Sequence, residues 1–161
     1  MADPVDPVDP VLQAVDPGER NYASARWSAA RGFHAFQVVD LRQVKGDPAT
    51  KMHALKSRGF FDGCTRLVVE RQMRSKFKEM VTAMRCFHWD KTTVVAPQTV
   101  KRMFRTGKGK HALNKKAHVE LALTLLDDAE RARFLAFKPK QKLDDLADCV
   151  VMLEWAKRAL L

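Results

Sequence analysis

The order of the apolar segments constrains the fold of this chain more than any other feature of the sequence. Three segments with strand character come first, at residues 11–15, 22–29 and 33–39, and Gly32 suits a hairpin turn between the last two. Strand-like and helix-like segments alternate after them. Strands joined by hairpins are antiparallel, whereas strands separated by helices are usually parallel. The order therefore predicts an α/β fold in which α-helices flank a mixed β-sheet.

The later segments complete this prediction. Short apolar runs predict strands at 66–70 and 92–96, and helical spacing predicts helices at 51–58, 76–88, 99–104, 115–126, 128–137 and 143–160. Residues 105–114 form a basic stretch interrupted by glycines, and we expect a loop there. Residues 1–10 repeat Asp-Pro units that can neither form a helix nor bury a large side chain. We therefore expect a disordered tail at 1–10 and one folded domain at 11–161.

The charge of the chain indicates the kind of partner that it binds. The sequence has 29 Lys and Arg against 19 Asp and Glu, a net charge of +10, and the first ten residues include three of the acids and none of the bases. A small domain this basic predicts a polyanionic partner, with nucleic acid as the first choice and an anionic membrane surface as the second. A basic surface without such a partner remains an alternative.

Neither a membrane span nor a secretion signal is evident in the sequence. No apolar run approaches the ~20 residues needed to cross a bilayer, and the N-terminus lacks the basic and then apolar layout of a signal peptide. Cys64, Cys86 and Cys149 are odd in number and widely spaced, so a disulfide framework is not expected. His111 and His118 lie in a basic stretch, and we expect both at the surface. These features predict a soluble intracellular protein without a membrane partner.

Two acidic residues stand at the ends of predicted strands. Asp16 directly follows the first strand, and Glu70 ends the strand at 66–70. Functional sites of α/β sheets gather where strands end, so neighbouring strands would bring these two carboxylates together. Each acid also has a simpler interpretation. Asp16 precedes Pro-Gly and suits a turn, and Glu70 could pair with Arg71 or Arg74.

Three further acids lie near the start of the helix predicted at 143–160. Asp145 and Asp148 are three residues apart and share a helix face, as do Asp144 and Asp148, which are four apart. Asp144 could instead cap the helix N-terminus. Carboxylates packed close to the two strand-end acids would repel one another unless a cation lay between them. Mg²⁺ prefers such oxygen ligands, and two Mg²⁺ ions can promote in-line hydrolysis of a phosphodiester.

A dense basic region fits the binding of phosphates. Its cations are Lys101, Arg102, Arg105, Lys108, Lys110, Lys115 and Lys116. Gly107 and Gly109 would keep this loop flexible, so that its cations could follow a bent nucleic-acid backbone. The Gly-Lys-Gly-Lys stretch is not a P-loop, because it lacks the required spacing and no strand leads directly into it. A solvated loop without a role is the alternative.

Four motifs resemble, in the same order, those of the poxvirus-type Holliday-junction resolvases, which are relatives of the bacterial RuvC-type and mitochondrial enzymes. Lys-Leu-Asp-Asp-Leu-Ala-Asp at 142–148 is similar to the C-terminal acidic motif of that family. Leu-Val-Val-Glu-Arg-Gln at 67–72 is similar to its strand ending in Glu-Arg-Gln. Asp-Pro-Gly at 16–18 resembles its first motif, and Lys-Lys-Ala-His-Val at 115–119 resembles the helix start that supplies a catalytic lysine.

The resemblance implies an RNase H-like fold and a viral, metal-dependent endonuclease that makes paired symmetric nicks in four-way DNA junctions, where DNA is replicated or recombined. It also implies a homodimer with two Mg²⁺ or Mn²⁺ ions per active site. Carried over position by position, the catalytic, metal-binding acids are Asp16, Glu70, Asp145 and Asp148. Asp145 is preferred to Asp144 because the last two acids of the family are three residues apart. Lys116 best matches the catalytic lysine, and Lys115 is the second choice.

DNA contacts are expected from the cations around these acids, namely Arg71, Arg74, Lys101, Arg102, Arg105, Lys108, Lys110 and Lys115. The helix at 76–88 has an apolar side that either covers the sheet or contributes to a dimer interface, and the resemblance favours the interface. That side consists of Phe77, Met80, Val81, Met84 and Phe87.

Two other functions remain open at this point. One is an RNase H-like nuclease that acts on other branched DNA or on RNA–DNA hybrids, and the other is a non-catalytic, architectural DNA-binding protein. The basic charge supports the enzyme and the binding protein equally. The four matched acids favour the enzyme, because a protein that only binds DNA has no reason to place carboxylates beside phosphates.

Overall fold

A five-stranded mixed β-sheet lies at the centre of the computed structural model, which describes residues 9–106, 111–137 and 143–161, with 111–114 as backbone only. The strands are β1 (Leu12–Asp16), β2 (Tyr22–Ser28), β3 (Gly32–Val39), β4 (Arg66–Glu70) and β5 (Thr92–Val95). Their order in space is β3-β2-β1-β4-β5. The first three pair antiparallel, whereas β4 runs parallel to both β1 and β5. The predicted mixed α/β sheet is therefore confirmed.

Helices cover both faces of this sheet. They are α1 (Pro48–Ser57), α2 (Ser75–Phe87), α3 (Pro97–Met103), α4 (His111–Leu125), α5 (Asp128–Leu135) and α6 (Leu143–Leu160), and a short 3-10 helix (Leu41–Gln43) precedes α1. Helices α1 and α2 share one hydrophobic layer with the sheet. Helices α4, α5 and α6 share the other, in which α6 packs across β1 and β2. In the described part of the chain, no helix is long and apolar enough to cross a membrane.

The alternation of side chains along the central strands divides the core into these two layers. Ala14 of β1 and Val68 of β4 are fully buried in the layer of α6. Their neighbours Val15 and Val69 are fully buried in the layer of α1 and α2. Because successive side chains of a strand point to opposite faces, every second residue along β1 and β4 faces α6.

Three helices begin two or more residues earlier than the sequence predicts. Helix α1 begins at Pro48, because the Asp47 carboxylate caps it by accepting a hydrogen bond from the backbone N–H of Thr50 at 2.7 Å, and proline suits the first helical position. Helix α3 likewise begins at Pro97, two residues before its predicted start. Helix α4 begins at His111, inside the stretch predicted as a loop, since no glycine or proline interrupts the sequence between Gly109 and Pro139.

The apolar side of α2 belongs to the core. Met80 and Met84 have no exposed surface, and Val81 is 9 % exposed. The phenol of Tyr22, in β2, contacts the sulfur of Met84 at 2.9 Å. Met80, Val81 and Met84 therefore cover the sheet, and the prediction that they form a dimer interface is wrong. For Phe77 and Phe87, which are half-buried, it stays a prediction. An amphipathic pattern shows that one side is buried but does not show what buries it.

Asp9, inside the predicted tail, contacts the hairpin between β2 and β3. Its carboxylate accepts hydrogen bonds from the backbone N–H groups of Ala29 and Ala30 at 3.2 and 3.0 Å. These bonds satisfy backbone donors at the tip of the hairpin. Residues 1–8 lie outside the described part of the chain, so the tail there stays a prediction.

Candidate active site

The ends of β1 and β4 bring two acids together. These strands are parallel neighbours, and their register pairs Val15 with Val69, so Asp16 and Glu70 follow at adjacent positions. Asp16 is two residues after Ala14, and Glu70 is two residues after Val68, so each acid points to the same face of the sheet as that residue. Both side chains therefore face α6 at the carboxyl edge of the sheet, where sites of α/β sheets gather.

Helix α6 places a third carboxylate over these strand ends. Leu146, Val150 and Leu153 are fully buried and anchor the helix on the sheet. Asp148 lies on the side of the helix that faces the strand ends. One oxygen from each of Asp16, Glu70 and Asp148 can be chosen so that all three lie within 4.8 Å of one another. Among the described residues, this group could hold a metal ion.

Burial and the repulsion between neighbouring carboxylates both raise the pKa values of the two strand-end acids. Burial, followed by the charges of Glu70 and Asp148, raises the pKa of Asp16 well above its ordinary value. Burial and the charge of Asp148 likewise raise the pKa of Glu70 to about 7, although Lys101 and His118 oppose this shift. Glu70 would therefore be partly protonated near neutral pH in the metal-free protein, and a divalent cation removes the conflict by compensating the charge of the acids.

Asp145 lies near the same cluster, and Asp144 has a different partner. The negative charge of Asp145 contributes to the raised pKa values of both Asp16 and Glu70. Asp145 also lines a shallow depression beside Asp16, together with Arg74. Asp144 lies in the first turn of α6 and forms an ion pair with Lys115.

The two adjacent lysines of α4 differ in position. Lys115 lines the cavity that contains Glu70 and Asp148, and its bond to Asp144 raises its pKa. The side chain of Lys116 is 77 % exposed and lies 3.7 Å from the carboxylate of Glu120, one turn further along α4. The geometry thus favours Lys115, the second choice from the sequence, as the lysine beside the acids.

His118 is part of the site, and the prediction that it is a surface residue is wrong. It is only 7 % exposed, and its Nδ1 lies 2.5 Å from an Asp148 carboxylate oxygen. Its Nε2 lies 2.9 Å from the hydroxyl of Thr106. The sequence places His118 on the same face of α4 as Lys115 and Ala122, three residues after the one and four before the other, but it does not show that this face packs against α6. The side chain of His111 lies outside the described residues.

Some of the predicted DNA-binding cations lie beside the carboxylate cluster. Lys101 lines the same cavity as Glu70 and His118, whereas Arg102 and Arg105 are exposed on and after α3. Arg74 is exposed beside the depression next to Asp16. Residues 108 and 110, both predicted DNA contacts, lie outside the described part of the chain.

Two features near the acids complete this surface. Arg71 is exposed and lines a groove with Lys78 and Arg85, along the edge of the sheet beside α2. Arg20, which no sequence motif indicated, is exposed beside Asp16 and lines the depression that also contains Arg74. Cations thus border the carboxylate cluster on both sides.

A mixed sheet whose parallel strand ends carry carboxylates under a C-terminal helix defines a protein of the RNase H-like class. The sequence matches the family model of the poxvirus A22 protein over residues 10–158. The chain therefore belongs to this family, as the motifs predicted. No curated protein is significantly similar to the chain in sequence.

Solved structures share the fold at low sequence identity. The fowlpox virus resolvase in complex with its substrate Holliday-junction DNA is similar with a TM-score of 0.69 and 16 % identity, over 94 % of this chain and 99 % of that one. The yeast mitochondrial Holliday-junction resolvase is similar with a TM-score of 0.61 and 14 % identity, over 91 % and 79 % of the two chains. RuvC of T. thermophilus, in complex with a Holliday-junction substrate, has a TM-score of 0.56 and 14 % identity, over 93 % and 96 %. These likenesses confirm the predicted fold.

Proposed function

We propose that the protein is a metal-dependent endonuclease that resolves four-way DNA junctions. The observation that carries this proposal is the meeting of Asp16, Glu70 and Asp148 at one edge of the sheet, in a chain of the poxvirus A22 family. Three proteins that share its fold are resolvases by name, and two of them are bound to junction DNA. A protein that only bound DNA would gain nothing from repelling acids beside phosphates.

The chemistry of the acids fits a divalent metal site. Asp16, Glu70 and Asp148 would hold the metal, and Asp145, close enough to influence two of them electrostatically, would add a fourth carboxylate. We propose that two Mg²⁺ ions bind here, with Mn²⁺ as a substitute. Carboxylates suit both metals, because hard cations prefer oxygen ligands. Such ions supply an activated water and compensate the charge that develops on a phosphodiester during in-line hydrolysis.

The cations of the chain itself would bind and orient the DNA. Arg20 and Arg74, exposed beside Asp16, and Arg102 and Arg105, exposed on and after α3, can contact successive phosphates. Lys115 stands nearer to the acids and would hold the phosphate next to the cleaved bond, or donate a proton to the departing oxygen. These contacts supply most of the affinity, so junction binding should weaken with salt.

A homodimer follows from the same proposal. Paired nicks on opposed strands of a two-fold symmetric junction need two active sites related by a two-fold axis. Light scattering should therefore give a mass near twice the 18.3 kDa of one chain. A mass near 18.3 kDa together with coordinated double nicking would exclude a preformed dimer.

The decisive experiment is a cleavage assay of the purified protein on end-labelled four-way junctions, linear duplexes and RNA–DNA hybrids. Each substrate is incubated with Mg²⁺, with Mn²⁺ or with EDTA. We expect paired nicks in the junction with either metal, no cleavage in EDTA and little cleavage of the other substrates. Asp148→Asn should abolish cleavage and retain junction binding. The control Asp128→Asn, at a fully exposed carboxylate of α5, should keep both.

The other outcomes identify the alternatives. Equal cleavage of RNA–DNA hybrids or linear duplexes would replace the proposal with a general RNase H-like nuclease. Junction binding without cleavage in any metal would indicate an architectural protein. Normal cleavage by Asp148→Asn would show that the acids are wrongly assigned.

A further inference from the structure

We propose that His118 is a positioning residue that orients the Asp148 carboxylate for metal binding, an inference that rests on the proposed function of the site. His118 belongs to α4 and Asp148 to α6, two helices that pack against each other. The Nδ1 atom of His118 lies 2.5 Å from Oδ1 of Asp148. No sequence motif assigned His118 a role.

The direction of this hydrogen bond follows from the chemistry of the two groups. An ionised carboxylate can only accept, so the hydrogen lies on Nδ1 of His118 whether the imidazole is neutral or charged. The hydroxyl of Thr106 faces the other ring nitrogen, Nε2, at 2.9 Å. Both nitrogens of the imidazole therefore have partners, which fixes the plane of the ring.

A fixed ring in turn fixes the carboxylate. The bond to Oδ1 restricts rotation of the Asp148 carboxylate about its Cβ–Cγ bond, and the remaining lone pairs stay available to a cation. The side-chain hydrogen bond to Asp148 comes from the neighbouring helix α4, since adjacent residues of α6 point to other sides of the helix. Partners that orient a metal-binding carboxylate typically change metal affinity or activity by about 10–100-fold when they are removed.

The burial of His118 supports this role. Only 7 % of the residue is exposed, and the ring lines the same cavity as Glu70 and Lys101. If the site only needed filling, a leucine would serve without any polar partner, whereas a buried imidazole requires one at each nitrogen. His118 instead connects Thr106, three residues after the end of α3, to the acid on α6.

Three substitutions separate positioning from packing. The amide nitrogen of Asn lies close to the place of a histidine Nδ1, so His118→Asn should keep the bond to Asp148. The amide nitrogen of Gln lies close to the place of Nε2, so His118→Gln should lose that bond and keep only the contact with Thr106. His118→Leu fills the cavity and keeps neither. His53→Asn, at an exposed histidine of α1 in the opposite layer, is the matched control.

The measurement is the dissociation constant of Mn²⁺ by isothermal titration calorimetry without DNA, with the melting temperature of each variant in EDTA. We expect His118→Leu and His118→Gln to weaken Mn²⁺ binding by about 10-fold or more. We expect His118→Asn to bind within a few-fold of the wild type, like the control. Equal Mn²⁺ affinity in all variants would overturn the inference. Equal losses in all three His118 variants, in proportion to their melting temperatures, would also overturn it, because that is the result of packing alone.

The role of His118 and the nuclease activity of the protein can be tested separately. A wild-type protein that binds Mn²⁺ but never cleaves a junction would contradict the nuclease, and the dependence of Mn²⁺ affinity on His118 could still be measured. Cleavage of junctions by the wild type with an unchanged Mn²⁺ affinity in His118→Leu would overturn only the role of His118.

Discussion

Asp16 and Glu70 occupy adjacent positions at the ends of two parallel strands, because the register of β1 and β4 pairs Val15 with Val69. This pairing lies at the centre of the sheet and fixes the backbone positions of the two acids beside each other. The sheet therefore holds two like charges together in a buried place, and burial is the largest cause of the raised pKa of each acid. The site is built at the expense of stability in the metal-free protein.

Removing one of these charges should stabilise the metal-free fold. The pKa of Glu70 rises from 4.5 to about 7 on folding, so between these values the folded protein keeps a proton that the unfolded chain has released. The contribution of Glu70 to stability is therefore complete below pH 4.5 and is lost as pH rises through about 7. The free energy of unfolding of Glu70→Gln should therefore be higher than that of the wild type by on the order of 2 kcal/mol at pH 8, and by much less at pH 5.

Urea unfolding in EDTA at both pH values measures this difference. The control Glu120→Gln removes an acid of α4 that is 64 % exposed, and its stability relative to the wild type should not change with pH in this way. A Glu70→Gln variant that is no more stable than the wild type at pH 8 would show that the carboxylates are not in conflict.

Divalent metal should stabilise the folded protein only when the carboxylates of the cluster are intact. A ligand that binds only the folded protein stabilises it by about 2.7 kcal/mol at one hundred times its dissociation constant. Mg²⁺ or Mn²⁺ should therefore raise the melting temperature of the wild type and of Asp128→Asn, and should have little effect on Asp16→Asn or Asp148→Asn. Differential scanning fluorimetry across a metal titration checks this. An equal rise in all four proteins would place the metal elsewhere.

The strand-end acids could be predicted because their position depends on local features of the sequence. Strand length, the turn after Asp16 and the parallel connection to β4 place both acids at one edge, and the alternation of side chains gives their common face. The family motifs then indicated the acids of α6. This part of the site needed only chain order and strand geometry.

The surroundings of the acids could not be predicted in the same way. The difference between Lys115 and Lys116, and the burial of His118, depend on how α4 is rotated against α6. That rotation is set by packing between two helices, which a single sequence does not show. For the same reason, the apolar residues of α2 predicted a buried side correctly but not its partner, which is the sheet.

The position of Met84 leads to a prediction about stability and assembly. Met84 is completely buried between α2 and the sheet, so Met84→Asp would place an unpaired carboxylate in the core. We expect it to lower the free energy of unfolding by about 3 kcal/mol or more, without acting on a dimer specifically. Thr82→Asp, on the exposed side of the same helix, should leave the fold intact. Urea unfolding and light scattering of both variants test this, and a stable monomeric Met84→Asp would restore the apolar side of α2 as an interface.

The two lysines of α4 give the sharpest test of the site. Lys115 lines the cavity of Glu70 and Asp148, whereas Lys116 points to solvent and Glu120. If Lys115 orients the phosphate or donates a proton, Lys115→Gln should lower the cleavage rate of a four-way junction by about 100-fold or more. Lys116→Gln, which removes the same charge one residue away, should change it only a few-fold, and both variants should bind the junction in EDTA with similar affinity. Single-turnover cleavage and gel-shift titrations provide the two measurements. A large loss in Lys116→Gln with normal cleavage by Lys115→Gln would return the catalytic role to Lys116.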